Sequence, residues 1–138
     1  MLQRVIFNAT RNLNVLMLRT LSSKSNKINV VFQTKDGDFT GKGKIGESLL
    51  DVVINNDIPL DGFGACEGTI ACCSCHVILN EKHFNRIKKA NDEELDMLDL
   101  APNLEDTSRL GCQVILDKND EPEVRVRVPD MSIDVRTF

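Results

Sequence analysis

The sequence predicts a single α+β domain, and three observations lead to this class. The chain has 138 residues, which suits one domain. Hydrophobic residues make up 41% of it and charged residues 28%, as in an ordinary globular protein. Segments with strand patterns alternate with segments that carry helix signals. The apolar runs are only a few residues long, whereas about 18 are needed to span a bilayer, so we expect no membrane insertion.

The first segment of the chain is predicted to be a targeting peptide. Residues 1–35 contain six basic residues and no acidic one. Apolar residues recur there at the spacing of one helix face, namely Leu2, Ile6, Ala9, Leu13 and Leu16. A basic, acid-poor, amphipathic start with serines is typical of a mitochondrial transit peptide, with an ordinary surface helix as the alternative. We predict a transit peptide at residues 1–26, cleavage between Arg19 and Lys27, a domain at 27–138, and a location in the mitochondrial matrix.

The remaining domain is acidic, which limits its partners. Residues 27–138 contain 13 Lys and Arg against 21 Asp and Glu, a net charge of −8. Nucleic-acid binding depends largely on phosphate neutralisation and, for single strands, on aromatic stacking. The chain has no Trp and no Tyr. We therefore expect no nucleic-acid partner.

The domain is predicted to open with a hairpin and a helix. Ile28 to Gln33 is a β-branched run, Asp36-Gly37 marks a tight turn, and Asp38 to Lys44 returns as a second strand. Ser48 with Asp51 three residues later resembles a capping box, which places the start of a helix at Leu49 to Asn55.

A long loop follows, and further elements lie beyond it. Residues 57–76 are rich in Gly, Ala and Cys, and long loops without structure of their own tend to be functional. The later elements are predicted in order as a strand Val77 to Leu79, a short helix Glu81 to Lys89, an acidic helix Asp92 to Ala101 stopped by Pro102, a strand Leu110 to Leu116, and an alternating strand Val124 to Val128.

The chemistry of the chain is concentrated in its cysteines. The five are Cys66, Cys72, Cys73, Cys75 and Cys112. Four lie in the loop sequence CEGTIACCSC, and the fifth lies in RLGC. An odd number crowded in this way argues against a disulfide framework and against core packing, and a matrix address also disfavours disulfides. Metal binding remains, and two metals compete.

The cysteine spacing favours an iron–sulfur cluster over zinc. Structural zinc is usually held by two short Cys-x₂₋₄-Cys pairs, and only Cys72 and Cys75 form one here. Five residues separate Cys66 from Cys72, and 36 separate Cys75 from Cys112. This layout is similar to the Cys-x₄-Cys-x₂-Cys…Cys spacing of [2Fe–2S] ferredoxins, with one extra residue in the first gap. A Cys₄ zinc-binding interaction module stays the alternative.

Three segments, CEGTIACCSCH, EELDMLDLAP and RLGCQV, resemble the mitochondrial vertebrate-type [2Fe–2S] ferredoxins, the adrenodoxin family. The resemblance covers residues 28–138. It implies a β-grasp ferredoxin-type fold, a mixed sheet with one main helix and a short acidic helix. It also implies a one-electron carrier that is not an enzyme and holds one cluster per chain. The ligands that it implies are Cys66, Cys72, Cys75 and Cys112, and Cys73 is then a spare thiol where the family usually has a small polar residue.

The acidic helix is the predicted partner surface. Seven acids and no Lys or Arg lie between Asp92 and Asp106, which suggests electrostatic steering of a basic partner. In the resembled family this helix docks an NADPH-dependent flavoprotein reductase and the electron acceptors. The partner-binding candidates are Asp92, Glu93, Asp96 and Asp99. Cytochromes P450 and iron–sulfur assembly proteins both stay open as acceptors, because LDGFGACEGT and Ala101-Pro102 point to different branches of the family. We expect a monomer.

Three further residues are predicted to support the cluster structurally. Glu94 projects opposite Asp96, on the helix face that should be buried, and a buried carboxylate needs a partner. Arg109 is the first candidate and His76, beside Cys75, the second, and the resemblance implies a contact among the three. A Rieske-like role for His76 would need a second histidine, and His83 lies in a separate segment.

Overall fold

The computed structural model describes residues 27–130, so the predicted transit peptide at 1–26 lies outside the described residues. Within the described part, the strands are β1 (Lys27–Thr34), β2 (Gly37–Lys44), β3 (His76–Ile78), β4 (Ser108–Leu110) and β5 (Glu123–Arg127). The helices are α1 (Leu49–Asn55), α2 (Glu81–Arg86) and α3 (Asp92–Leu98), with a 3-10 turn at Lys118–Asp120.

The strands form one mixed sheet in the order β2-β1-β5-β3-β4. β1 runs antiparallel to β2 and parallel to β5. β3 runs antiparallel to both β4 and β5. The expected combination of a mixed sheet with few helices is therefore confirmed. Among residues 27–130, no helix has both the length and the apolar character that crossing a membrane requires.

The core lies between the sheet and α1. Alternate residues of β5 are buried, as its predicted pattern required. Ser48 caps α1 with the reciprocal capping box to Asp51 that the sequence predicted. Gly43 of β2 allows the side chains of Leu116 and Val52 to pack directly against the strand. A Cβ at this position would lie 2.4 Å from Leu116 Cδ1 and 2.6 Å from Val52 Cγ2.

The hairpin turn and the fourth strand differ from their predictions. The turn consists of Lys35 and Asp36, and Gly37 already belongs to β2. β4 ends at Leu110, so the prediction of a strand from Leu110 to Leu116 is wrong beyond its first residue. The chain turns after Leu110 and then bonds to the start of α1, with Val114 O accepting from Leu49 N at 3.0 Å. Val114 and Leu116 of this segment are buried, whereas Ile115 between them is 48% exposed.

Both later helices are shorter than predicted. α2 ends at Arg86 instead of Lys89, and α3 ends at Leu98 instead of Ala101. After α3 the backbone continues in tight turns, in which Ala101 N donates to Leu98 O at 2.8 Å. Pro102 cannot donate a backbone hydrogen bond, so the helix closes before it.

Candidate metal centre

The loop between α1 and β3 carries four of the cysteines in an irregular backbone. Gly62, Gly64 and Gly68 all have positive φ, at 74°, 73° and 84°. A Cβ at Gly64 would lie 2.1 Å from Leu50 Cδ1, so only glycine allows the loop to lie this close to α1. Glu67 and Ile70 adopt the left-handed conformation as well, each with φ of 56°. The sequence predicted the loop but not this conformation of non-glycine residues.

A second glycine contact brings the distant Cys112 to the loop. Gly111 N donates to Cys75 O at 2.7 Å, and a Cβ at Gly111 would lie 3.0 Å from that oxygen. The Cβ of Cys112 lies 3.7 Å from the point where a Cβ on Gly68 would stand. The turn after β4 therefore sits directly against the loop, and the four predicted ligands come from these two segments.

The four predicted ligands influence one another in two pairs. Cys72 is among the groups that lower the pKa of Cys66, and Cys75 is the group that lowers the pKa of Cys112 most. Cys75 is buried, whereas the other three are half-buried. Cys73 belongs to neither pair. It packs instead beside the small apolar cluster that contains Cys75, Leu98 and Leu110.

The surroundings favour the thiolate at two of these positions. Burial raises the pKa of Cys66, but hydrogen bonds from Cys72, from the Ala71 backbone and from Thr69 outweigh it and lower the pKa to about 6. The bond to Cys75 lowers the pKa of Cys112 to about 7, against the effect of burial. The same bond and burial raise the pKa of Cys75. The thiolate is the form that binds metal. The lowered pKa values therefore favour the metal-binding form at Cys66 and at Cys112.

The four thiols match the donor set of an iron–sulfur cluster. Cys66, Cys72 and Cys75 come from the loop, and Cys112 comes from the turn after β4. Structural zinc takes its four ligands around one point. A [2Fe–2S] cluster takes its four cysteines as two on each iron. The donor set therefore fits the two-iron cluster.

Two polar side chains contact the ligand sulfurs, and sequence reasoning missed their contacts. Ser74 Oγ lies 3.0 Å from Cys72 Sγ and accepts from Ala65 N at 2.9 Å. Gln113 Nε2 donates to Cys112 Sγ at 3.5 Å. Each follows a ligand within two residues in the chain, and that adjacency is the signal that could have found them.

Glu94 is buried and paired with Arg109, as its position on the helix predicted. Glu94 Oε1 accepts from Arg109 Nε at 2.7 Å and Oε2 accepts from Arg109 Nη2 at 3.0 Å. Oε1 also accepts from Leu110 N at 3.0 Å. His76 lies apart from this pair, with its Nε2 at 2.7 Å from Ser108 Oγ, and burial lowers its pKa. The structure thus brings Glu94 and Arg109 together beside Cys112 and leaves His76 with another partner.

The opposite face of α3 is acidic and exposed. Asn91 caps the helix, with its Oδ1 accepting from Glu94 N at 2.8 Å. Leu95 and Leu100 are 48% and 71% exposed beside the acids. The exposed acidic side chains are Asp92, Glu93, Asp96 and Asp99. None of these four forms an ion pair with another residue in the described range.

The sequence of this chain is similar to those of known ferredoxins. No family model matches it. It is 50% identical over 131 residues to mitochondrial adrenodoxin of Gallus gallus, which covers 93% of this chain and 91% of that protein. The chain belongs to the adrenodoxin family. It is also 46% identical over 113 residues to the 2Fe-2S ferredoxin of Rickettsia felis, which covers 81% of this chain and 98% of that one.

Solved structures confirm the ferredoxin fold expected for an adrenodoxin-family chain. The reduced C73S variant of putidaredoxin from Pseudomonas putida superposes with a TM-score of 0.67 at 33% identity, over 76% of this chain and 99% of that one. A second match is a chain of the covalent complex between putidaredoxin and putidaredoxin reductase. Its TM-score is 0.64 at 32% identity, over 74% of this chain and 98% of that one. The family and the fold both favour the [2Fe–2S] ferredoxin over the Cys₄ zinc module.

Proposed function

We propose that this chain is a mitochondrial one-electron carrier that holds one [2Fe–2S] cluster per chain. The proposed ligands are Cys66, Cys72, Cys75 and Cys112. The observation that carries the proposal is that the turn at Gly111 places Cys112 against the glycine-rich loop that carries the other three cysteines, with Gly111 N donating to Cys75 O at 2.7 Å. Such a cluster, when bound, takes up or releases one electron. As a ferredoxin of this family, the chain is an electron-transfer protein and not an enzyme.

The chain's own residues supply the environment of the cluster. Cys75 is fully buried, whereas the neighbouring loop residues Ala65 and Thr69 are exposed. One side of the site therefore lies against the core and the other lies near the surface, where an electron can be exchanged with a docked partner. Backbone and side-chain donors to the sulfurs stabilise the negative charge of the thiolates.

A ferredoxin reductase is the proposed electron donor, and α3 is its proposed docking surface. Putidaredoxin, which resembles this chain, has been captured in a covalent complex with its reductase. The exposed acids of α3 are available to a basic partner, and two exposed leucines stand beside them. The proposed contact residues are Asp92, Glu93, Asp96 and Asp99. The proposed acceptors are mitochondrial cytochromes P450, iron–sulfur assembly proteins, or both, and the carrier is proposed to act as a monomer.

The cofactor is tested by spectroscopy and metal analysis of the purified protein. Because the chain has no Trp and no Tyr, its near-ultraviolet and visible absorbance should belong almost wholly to the cluster. We expect a red-brown protein with iron and sulfide in equal amounts, which bleaches on reduction and then gives a paramagnetic signal. A colourless protein that contains zinc would support the alternative module instead.

The docking surface is tested by removing two charges from α3. The variant Asp96→Asn with Asp99→Asn should be reduced more slowly by the reductase, and its rate should depend less on salt. Asp36→Asn with Asp38→Asn is the matched control, because it removes the same charge from exposed positions at the β1–β2 hairpin. Equal rates for the two double variants would remove α3 from the proposal while leaving the cluster assignment intact.

A further inference from the structure

Gln113 lies next to a proposed ligand and is held in place by the turn after β4. Its backbone N–H donates to Leu110 O at 2.9 Å. Its side-chain Nε2 donates to Cys112 Sγ at 3.5 Å. The amide is therefore a neutral donor to a ligand sulfur, supplied by a side chain that can be changed without altering the backbone.

The same side chain reaches the start of α3. Gln113 lines a small cleft of about 80 Å³ with Lys88, Lys89, Asn91, Glu94 and Arg109. Asn91 is the residue that caps α3. Glu94 and Arg109 form the buried pair that joins α3 to β4. Gln113 thus lies between a ligand sulfur and the beginning of the proposed docking helix.

We propose that Gln113 is a positioning residue that tunes the reduction potential of the cluster through its hydrogen bond to Cys112. This inference rests on the proposed function. Reduction adds one electron to the site and no proton, so the negative charge on the sulfurs increases. A hydrogen-bond donor to a sulfur stabilises the more negative state more strongly, which raises the potential.

The test compares midpoint potentials of holoprotein variants, measured by anaerobic spectroelectrochemical titration. Gln113→Leu has nearly the same size and no donor, and it should reduce the equilibrium constant for reduction roughly two- to tenfold, as for loss of one hydrogen bond. Gln113→Glu keeps the shape, replaces the donor with a carboxylate, and should lower the constant further. Gln33→Leu in β1 is the matched control, because Gln33 lies outside the cleft, and its potential should equal that of the wild type.

Potentials of Gln113→Leu and Gln113→Glu equal to that of the wild type, with an intact cluster spectrum, would overturn the tuning role. A wild-type protein without the cluster spectrum would instead overturn the proposed function.

Discussion

Two buried carboxylates connect helices to the rest of this fold, Glu94 of α3 and Asp120 of the 3-10 turn. Both side chains are almost completely buried, and each is paired with an arginine. Glu94 accepts from Arg109 and from the backbone N–H of Leu110. Asp120 accepts from Arg86 of α2 and, at 2.8 Å, from the backbone N–H of Asp117. His83 Nε2 lies 3.4 Å from the same Asp120 oxygen that Arg86 contacts.

The two pairs differ in what else their members contact. The partners of Glu94 stand two and three residues before Cys112, and the other face of α3 carries the exposed acids. The partners of Asp120 lie in α2 and at Asp117, and none is a neighbour in sequence of a proposed ligand. Burial and pairing of a carboxylate are thus shared features, and only the connection to the ligand turn distinguishes a group that can affect the cluster.

The largest effect is expected for Arg109→Leu, which leaves the carboxylate of Glu94 buried without its cationic partner. An uncompensated buried charge of this kind costs about 3–5 kcal/mol in the free energy of unfolding. The cluster should also be lost more readily, because Leu110 and Cys112 lie in the disturbed turn. Urea unfolding followed by far-ultraviolet circular dichroism and, separately, by the visible signal of the cluster measures both effects.

A second substitution identifies the cause of that loss. Glu94→Gln in the Arg109→Leu background removes the unpaired charge and keeps an acceptor for Leu110 N. The double variant should therefore recover a large part of the stability. Equal stability of the single and double variants would show that the contact of Arg109 with Lys88 O, at 2.7 Å, carries the effect instead.

The sequence could predict the burial of Glu94 and its pairing with Arg109, but not the burial of Asp120 and its pairing with Arg86. The reason is physical. Helical periodicity places Glu94 opposite Asp96 and among Met97 and Leu98, so its burial follows from the pattern of α3 alone. Asp120 lies in a turn of three residues that has no periodicity, and its partner Arg86 is 34 positions away. Its burial depends on how α2 packs against that turn. The same limit explains the strand wrongly predicted beyond Leu110, where the chain bonds to the start of α1 instead of pairing in the sheet.

A smaller effect is expected for Asp120→Asn, which tests the other side of the comparison. The amide oxygen can still accept from Asp117 N, while the charge-assisted bond to Arg86 is lost. The cost should be about 1–3 kcal/mol. It should be lower than for Arg109→Leu because the Arg86 side chain is 33% exposed and can be solvated. The reduction potential should stay at the wild-type value. Loss of the cluster as ready as in Arg109→Leu would mean that the two pairs do not differ as argued.

The pH dependence of stability is expected to arise partly at the same place. Burial lowers the pKa of His83 below its ordinary value of 6.5, with Asp120 and Asp117 opposing and Arg86 and Arg109 assisting this shift. Between the lowered pKa of the folded chain and about pH 6.5, the unfolded chain therefore binds a proton at His83 more readily than the folded chain does. The free energy of unfolding should decrease as the pH falls through that range, by at most about 1.4 kcal/mol per pH unit for this group.

His83→Leu removes this group and so isolates its contribution. Some pH dependence of the free energy of unfolding should remain in the variant, because burial lowers the pKa of His76 as well. The measurement is urea unfolding between about pH 7.5 and about pH 5.5 in the wild type and the variant. The variant should lose part of the slope. Parallel curves would show that His83 is protonated in the folded chain as readily as in the unfolded one.

The smallest effect is expected at Cys73, although it lies on the cluster side of the molecule. Its thiol packs beside Leu98 and Leu110 and belongs to neither ligand pair. Cys73→Ser should leave the visible spectrum and the cluster lifetime unchanged, whereas Cys72→Ser, the matched neighbour, should lose the wild-type spectrum. Position near the cluster would then be insufficient for an effect, just as burial is insufficient for Asp120. A shorter lifetime in Cys73→Ser would instead make this thiol a substitute ligand and add it to the groups that matter on that side.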